Sequence, residues 1–173
     1  MDNEPTAEQR LQSLLARIRA GFSVALIADA GTPLISDPGY KLVRDARAAG
    51  RRITTLPGPS AAIAALTLSG LPTDRFLFMG FLPSKAKARG DALDEVAGLR
   101  ATLVFYESGP RLSESLSAMA AHLGDREAAV SREISKAFEE TACGTLSELS
   151  ARYADAPPRG EIVVTVGPPG EAA

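Results

Sequence analysis

Residues 24–56 read VALIADAGTPLISDPGYKLVRDARAAGRRITTL, and the order of patterns inside this stretch decides the fold class. VALIA, residues 24–28, is a short continuous apolar run. Continuous rather than alternating runs mark strands covered on both faces, as in parallel sheets. The loop DAGTPLISDPG follows, residues 40–49 have helical spacing stopped by Gly50, and ITTL at 53–56 is a second apolar run. A strand, a helix and a strand predict a βαβ unit, whose crossover is right-handed.

Upstream, EQRLQSLLARIRA places Leu11, Leu14, Leu15 and Ile18 at helical spacing, closed by Gly21. Downstream, the loop PGPS enters AAIAALTLSG, a helix with Ser60 as N-cap and Gly70 as stop. The turn LPTD at 71–74 is the predicted boundary between a partial N-terminal α/β domain over 1–72 and a C-terminal α/β domain over 73–173. Beyond it lie an aromatic-rich strand (FLFMGF), a mostly helical stretch (PSKAKARGDALDEVAGLR), a buried strand (TLVFY) and a helix (RLSESLSAMAAHLG). EAAVSREI and FEETACG predict adjacent strands, partly antiparallel. TLSELSARYAD is a helix with a capping pattern from Thr145 to Glu148, and residues 162–166 form a last buried strand.

Composition narrows the chemistry. With 45% hydrophobic and 23% charged residues, the 173-residue chain has the make-up of a soluble globular protein. No run approaches the ~20 apolar residues of a membrane-spanning helix. The opening MDNEPTAEQR is too polar and acidic for a secretory signal. The single cysteine, Cys143, excludes an intramolecular disulfide and a cysteine-based zinc site. The single histidine, His122, sits near the end of a predicted helix, which excludes histidine clusters as metal ligands. These features fit a cytoplasmic protein without a metal. A net charge of -2 and a pI near 5.5 mean that any nucleic-acid contact must come from a local basic patch.

Three loops follow predicted strands and combine glycine, proline and small polar residues: 29–33 with 36–39, 57–60, and 107–110. In open α/β sheets, ligands bind beyond the carboxyl ends of the strands, and a following helix N-terminus offers free N–H groups. Turns need the same residue types for purely structural reasons. No GxxxxGK[ST] occurs, and no GxGxxG follows a strand, so nucleotide hydrolysis and ordinary dinucleotide binding are poorly supported.

Taken together, ALIADAGTPLISDPGYKLV, TTLPGPSAAIAALTLSGLPTDRFLFMGFLP, ATLVFYES and RGEIVV resemble the ribosomal small-subunit methyltransferase I family, the rRNA ribose-methylating branch of the tetrapyrrole methylase superfamily. The likeness runs in order over residues 16–167. It implies an α/β, tetrapyrrole methylase-like (class III methyltransferase) fold of two α/β domains with the cofactor cleft between them. It also implies S-adenosyl-L-methionine as methyl donor, a cytidine ribose 2′-hydroxyl of small-subunit (16S) ribosomal RNA as acceptor, and a homodimer. By that resemblance Asp29, Ala30, Gly31 and Thr32 occupy the first cofactor loop. Ser60 and Ala61 occupy the next loop, Tyr106 begins the second domain's contribution, and Ile162 closes the far side.

The sequence departs from the family in three places. The family opens with a strand and a Gly-Asn-Leu-type loop, then a helix and a strand carrying Glu-Asp-Thr, and this sequence starts after both. The first domain is therefore expected to be incomplete. The family usually continues past the last strand, and Gly109-Pro110 stands where a Pro-His pair is common. Two other readings stay open: a tetrapyrrole (precorrin-type) C-methyltransferase, and a truncated, non-catalytic member of the fold.

Methyl transfer to a ribose hydroxyl needs alignment, and a group that takes the proton or stabilises the alkoxide. The candidates are Glu107, Arg132, Glu133 and Lys136, each equally suited to a structural salt-bridge network. Lys85, Lys87 and Arg89 form the candidate RNA-binding patch, with Arg51 and Arg52 a second possibility.

Overall fold

A computed structural model describes residues 6–170. The chain divides into two compact units, Met1–Pro59 and Ser60–Ala173.

In the first unit, α1 (Ala7–Arg19) and α2 (Tyr40–Ala48) form as their spacing predicts. Thr6 opens α1 with a capping box: its hydroxyl accepts from the Gln9 N–H at 3.2 Å, and Gln9 Oε1 accepts from the Thr6 N–H at 2.8 Å. Leu15, Leu42 and Ala46 make a small core, flanked by Leu11, Leu14 and Ile18.

The two predicted strands of this unit do not form. Residues 24–28 and 53–56 have no strand ladder, and Ile27 and Leu56 are 86% and 87% exposed. The reason lies in hydrogen bonding. A strand is stabilised only when neighbours pair its N–H and C=O groups, and among the described residues none flanks either segment. The apolar runs carry the composition of covered strands without the cover.

The second unit is a mixed five-stranded sheet with helices on both faces. Its strands are β1 (Phe76–Phe81), β2 (Thr102–Ser108), β3 (Glu127–Arg132), β4 (Glu140–Thr145) and β5 (Glu161–Val166), in spatial order β1-β2-β5-β3-β4. β1 and β2 run parallel, and β5 is antiparallel to both its neighbours, as β4 is to β3. The remaining helices are α3 (Ala61–Leu68), α4 (Ala86–Asp94), α5 (Leu112–Leu123) and α6 (Leu146–Arg152).

Strand alternation sorts the core. Leu103, Phe105, Ile162, Val164, Ala128 and Val130 pack with Leu93, Leu112, Leu116, Met119, Leu146 and Leu149 from α4, α5 and α6. Val104 and Val163 point the other way and meet Ala62, Ala65 and Leu66 of α3. The helix written before the predicted boundary at residue 72 therefore packs with strands written after it. Each fully buried Leu or Phe contributes roughly 1.5–3 kcal/mol of transfer free energy, and Phe105, Leu116 and Val164 are 0% exposed.

Caps match the sequence at α6, where the Thr145 hydroxyl accepts from the Glu148 N–H at 3.3 Å and Glu148 accepts from the Thr145 N–H at 2.9 Å. Ser60 occupies the N-cap of α3 with extended backbone, but its hydroxyl makes no capping bond.

Candidate functional site

In the first unit, the loop after residue 28 leaves Asp29, Ala30 and Gly31 exposed and Thr32 half-buried. The Thr32 hydroxyl donates to the Pro59 carbonyl at 2.9 Å, which ties this loop to the PGPS loop. Leu34 (φ 76°) and Ser36 (φ 59°) both adopt left-handed backbone here, as does Gly31 (φ 69°). Non-glycine residues in that region store strain, which clusters in ligand-binding and switch segments.

In the second unit, Tyr106 lies near the carboxyl end of β2 on the α3 face. Its ring meets Phe78 edge-on at 4.8 Å and Phe81 at 5.6 Å between centroids. Sequence reading missed both phenylalanines. Strict alternation puts Phe76 and Phe78 on one face and Phe81 on the other. A bulge resolves it: register runs Phe78↔Val104, then Gly80↔Phe105 and Phe81↔Tyr106, so the extra residue turns Phe81 back to the face of Phe78. The available signal was the glycine inside an aromatic strand, and Gly80 has φ 65°. On the same unit Ser60 is half-buried and Ala61 exposed at the first turn of α3.

The structure does not group Ile162 with Tyr106. Ile162 is 3% exposed, inside the core formed with α5 and α6, on the opposite face of the sheet. Alternation forces this, so its side chain is closed to a cofactor.

Glu107, Ile162, Arg132 and Glu140 form one row across β2, β5, β3 and β4. Glu107 is 3% exposed. Its Oε1 accepts from the Ser108 N–H at 2.8 Å, its Oε2 accepts from the Ser115 hydroxyl at 2.5 Å, and Arg111 Nε stands 3.7 Å away. The neighbouring Gly109 abuts the Pro158 carbonyl so closely that a Cβ would overlap it, so this glycine serves packing rather than ligand approach.

Arg132, two strands from Glu107 and about 9–10 Å away by strand spacing, donates to Glu140 at 3.1 Å and to the Arg159 carbonyl. Glu140 also receives Arg152 at 2.7 Å. Beside them, Glu133 accepts from the Glu161 N–H at 2.9 Å and from Lys136 Nζ at 3.0 Å, and Lys136 also donates to Glu161 at 2.7 Å. The Glu161 amide and then Lys136 hold the Glu133 carboxyl below the usual glutamate range. Glu161 and then Glu133 push the Lys136 ammonium above the usual lysine range. Neither group is poised to take up a proton near neutrality. At the end of β3 the charges of Arg132 and Lys136 are therefore met by Glu140, Glu133 and Glu161.

The basic patch separates. Lys85 and Lys87 are exposed, but Arg89 is 4% exposed, with its guanidinium donating to Glu114 at 2.5 Å. The helix turns Arg89 inward, so it does not belong to an exposed basic face. Arg51 donates to the Arg19 carbonyl at 3.0 Å, while Arg52 is exposed. His122 near the end of α5 lies 2.8 Å from Asp94 on α4, a surface pairing. Among the described residues no cluster of metal-ligating side chains occurs, and no helix is long and apolar enough to cross a membrane.

The family model for Tetrapyrrole (Corrin/Porphyrin) Methylases matches residues 2–150. A protein of Mesorhizobium japonicum named Ribosomal RNA small subunit methyltransferase I is 54% identical over 168 residues, 96% of this chain and 57% of the relative. A Xylella fastidiosa protein of the same name is 50% identical over 95% of this chain and 60% of its own length. The chain therefore spans somewhat over half the length of these relatives. Among solved structures, the methyltransferase CobJ superposes with a TM-score of 0.69 at 19% identity, over 96% of this chain and 73% of that one. Uroporphyrin-III C-methyl transferase from Thermus thermophilus, complexed with S-adenyl homocysteine, gives 0.57 at 20% identity, over 93% and 73%.

Proposed function

The chain belongs to the tetrapyrrole methylase family, and from that premise we propose that it serves S-adenosyl-L-methionine-dependent 2′-O-methylation of a cytidine ribose in small-subunit ribosomal RNA. One observation carries the reading: 54% identity over 96% of the chain to a protein named as a small-subunit ribosomal RNA methyltransferase, against 19–20% to CobJ and the uroporphyrin-III C-methyl transferase, which share its fold. The reading brings with it the small ribosomal subunit as partner, a homodimer and a cytoplasmic location.

Each unit, taken by itself, holds residues of a kind suited to the methyl donor. The Thr32–Pro59 bond fixes one loop while leaving Asp29, Ala30 and Gly31 open to a ligand's polar groups. The rings of Tyr106, Phe78 and Phe81 offer a surface suited to a flat base and a sulfonium. Ser60, whose hydroxyl is not spent on capping, and Ala61 stand at the start of α3. When bound, S-adenosyl-L-methionine supplies a methyl group activated for in-line displacement.

The chain's own work is alignment and charge. Arg132 and Lys136 are already paired with Glu140 and with Glu133 and Glu161, so either would meet an alkoxide or an RNA phosphate by exchanging one of those partners. Glu133 orients Lys136, and Glu107, saturated by Ser108 and Ser115, shapes the end of β2.

The test is transfer of labelled methyl from S-adenosyl-L-methionine to 30S subunits and, separately, to a uroporphyrinogen, with the labelled nucleotide located by its resistance to alkaline cleavage. Label in an alkali-resistant ribosomal RNA dinucleotide is expected. Label in the tetrapyrrole alone would overturn the reading. Titration with S-adenosyl homocysteine separates a chain that binds without turnover from one that does not bind.

A further inference from the structure

At the sheet end opposite Tyr106 lies a pocket of about 230 Å³ lined by Pro72, Asp74, Arg75, Arg100, Thr102 and Pro168, with their immediate neighbours. The register builds it. β1 and β2 are parallel and begin side by side, Phe76 against Thr102, so Arg75 and Arg100 emerge from the same edge. β5 runs the other way, with Val166 opposite Leu103, so Pro168 leaves the sheet at that edge too. The Thr102 N–H donates to the Arg75 carbonyl at 3.0 Å, and the Thr102 hydroxyl donates to the Pro72 carbonyl at 2.6 Å, which fixes the floor. Prolines on two sides stiffen the walls and contribute no N–H. The side-chain donors available to a ligand are the two guanidinium groups.

Those groups are uncommitted. In the second unit, Arg89, Arg111, Arg126, Arg132 and Arg152 all bond to carboxylates or carbonyls. Among the described residues, Arg75 and Arg100, like Arg159, bond to nothing through their side chains, and these two line one pocket. Two guanidiniums against the single carboxylate of Asp74 leave the lining positive. Water occupies about 30 Å³ per molecule, so the pocket has room for one tetrahedral anion with part of its hydration. Guanidinium forks match phosphate oxygens in geometry as well as charge.

We propose that the Arg75–Arg100 pocket takes one phosphate group of an RNA backbone, as a docking subsite remote from the aromatic cluster around Tyr106. That the ligand is RNA rests on the proposed function; the pocket's charge and shape do not.

The test compares the full chain with an Arg75→Gln/Arg100→Gln variant in binding a short single-stranded oligoribonucleotide over a salt series. Both positions are exposed, so the fold should survive, and circular dichroism checks it. Roughly tenfold weaker binding is expected, with the slope of log affinity on log salt shallower by about 0.7, one phosphate's share. An Arg75→Lys/Arg100→Lys variant should recover most of the slope. Inorganic phosphate should shift the amide resonances of Arg75, Ala101 and Thr102 in the parent and not in the glutamine variant. Equal affinity and slope in parent and glutamine variant overturn the proposal, as does a parent that binds no oligoribonucleotide. A parent that binds RNA through these arginines yet methylates only a tetrapyrrole keeps the pocket and overturns the proposed function instead.

Discussion

Ser115 on α5 donates a 2.5 Å hydrogen bond to Glu107 on β2, and both side chains are buried. The bond fastens helix to sheet through a carboxylate whose other oxygen is already held by the Ser108 N–H. Ser115→Ala leaves a buried acceptor short of a donor, so it should cost about 1–3 kcal/mol. Urea denaturation measures the loss; a variant as stable as the parent would show that Glu107 finds another donor.

The Glu133–Lys136–Glu161 cluster predicts a pH dependence with a definite sign. Glu133's folded value lies below its ordinary 4.5, so its contribution is present above that value and fades as pH falls through the lowered one. Lys136's value is raised above 10.5, so its contribution holds below that pH and fades as pH climbs through the raised value. Glu133→Gln should therefore be less stable than the parent at pH 7, with the gap closing in acid. Denaturation midpoints at neutral and acid pH decide the matter, and a gap that widens in acid contradicts this account.

Two glycines should respond oppositely to alanine. At Gly109 a Cβ meets the Pro158 carbonyl, so Gly109→Ala should destabilise by about 1–3 kcal/mol or more. At Gly98 nothing lies within 4 Å, and the backbone is not left-handed. Gly98→Ala should be neutral or stabilise by about 0.4–1 kcal/mol through the unfolded chain. Thermal unfolding of the pair gives the comparison.

Arg89 is a buried cation whose Nε has no partner among the described residues. Burying the guanidinium costs hydration that its single partner only partly offsets, and that partner, Glu114, is exposed and stays hydrated when the arginine is gone. Arg89→Met should match or exceed the parent in melting temperature and leave RNA affinity untouched. Lost RNA binding in a folded Arg89→Met protein would restore Arg89 to the basic patch.

Amide exchange should be fast across residues 24–28 and 53–56, which lack ladder partners, and slow in β2 and β5 at the centre of the sheet. Strong protection at Ile27 in a monomer would mean that the first unit pairs its strands after all.

The sequence pattern reported local decisions well. Gly124 closing α5, the Thr145–Glu148 box and the apolar run of β5 each announced an element through its own backbone needs. It failed where the outcome depended on partners far along the chain. Residues 24–28 look like a covered strand whether or not anything covers them. The candidate site shows the same limit. Tyr106, Glu107 and Ile162 are adjacent in any reading of loops and strand ends, yet pleating and register send Tyr106 to one face and the other two to the opposite one. Arg89 was legible as a charge, but its rotation about α4 was not, because that helix has little amphipathic contrast to fix its facing.

The place of β5 has a bearing on biosynthesis. It is written last among the strands, yet it lies third in the sheet, with β2 and β3 on its two sides. During translation every other strand leaves the ribosome before the one that joins them. Until residue 166 clears the exit tunnel, β2 and β3 each carry a bare edge where β5 belongs, and the β1–β2 pair and the β3–β4 hairpin wait as separate halves. A nascent chain arrested before residue 161 should therefore be a favoured client of chaperones that bind exposed strands, and release from them should coincide with the emergence of the final six residues of the sheet.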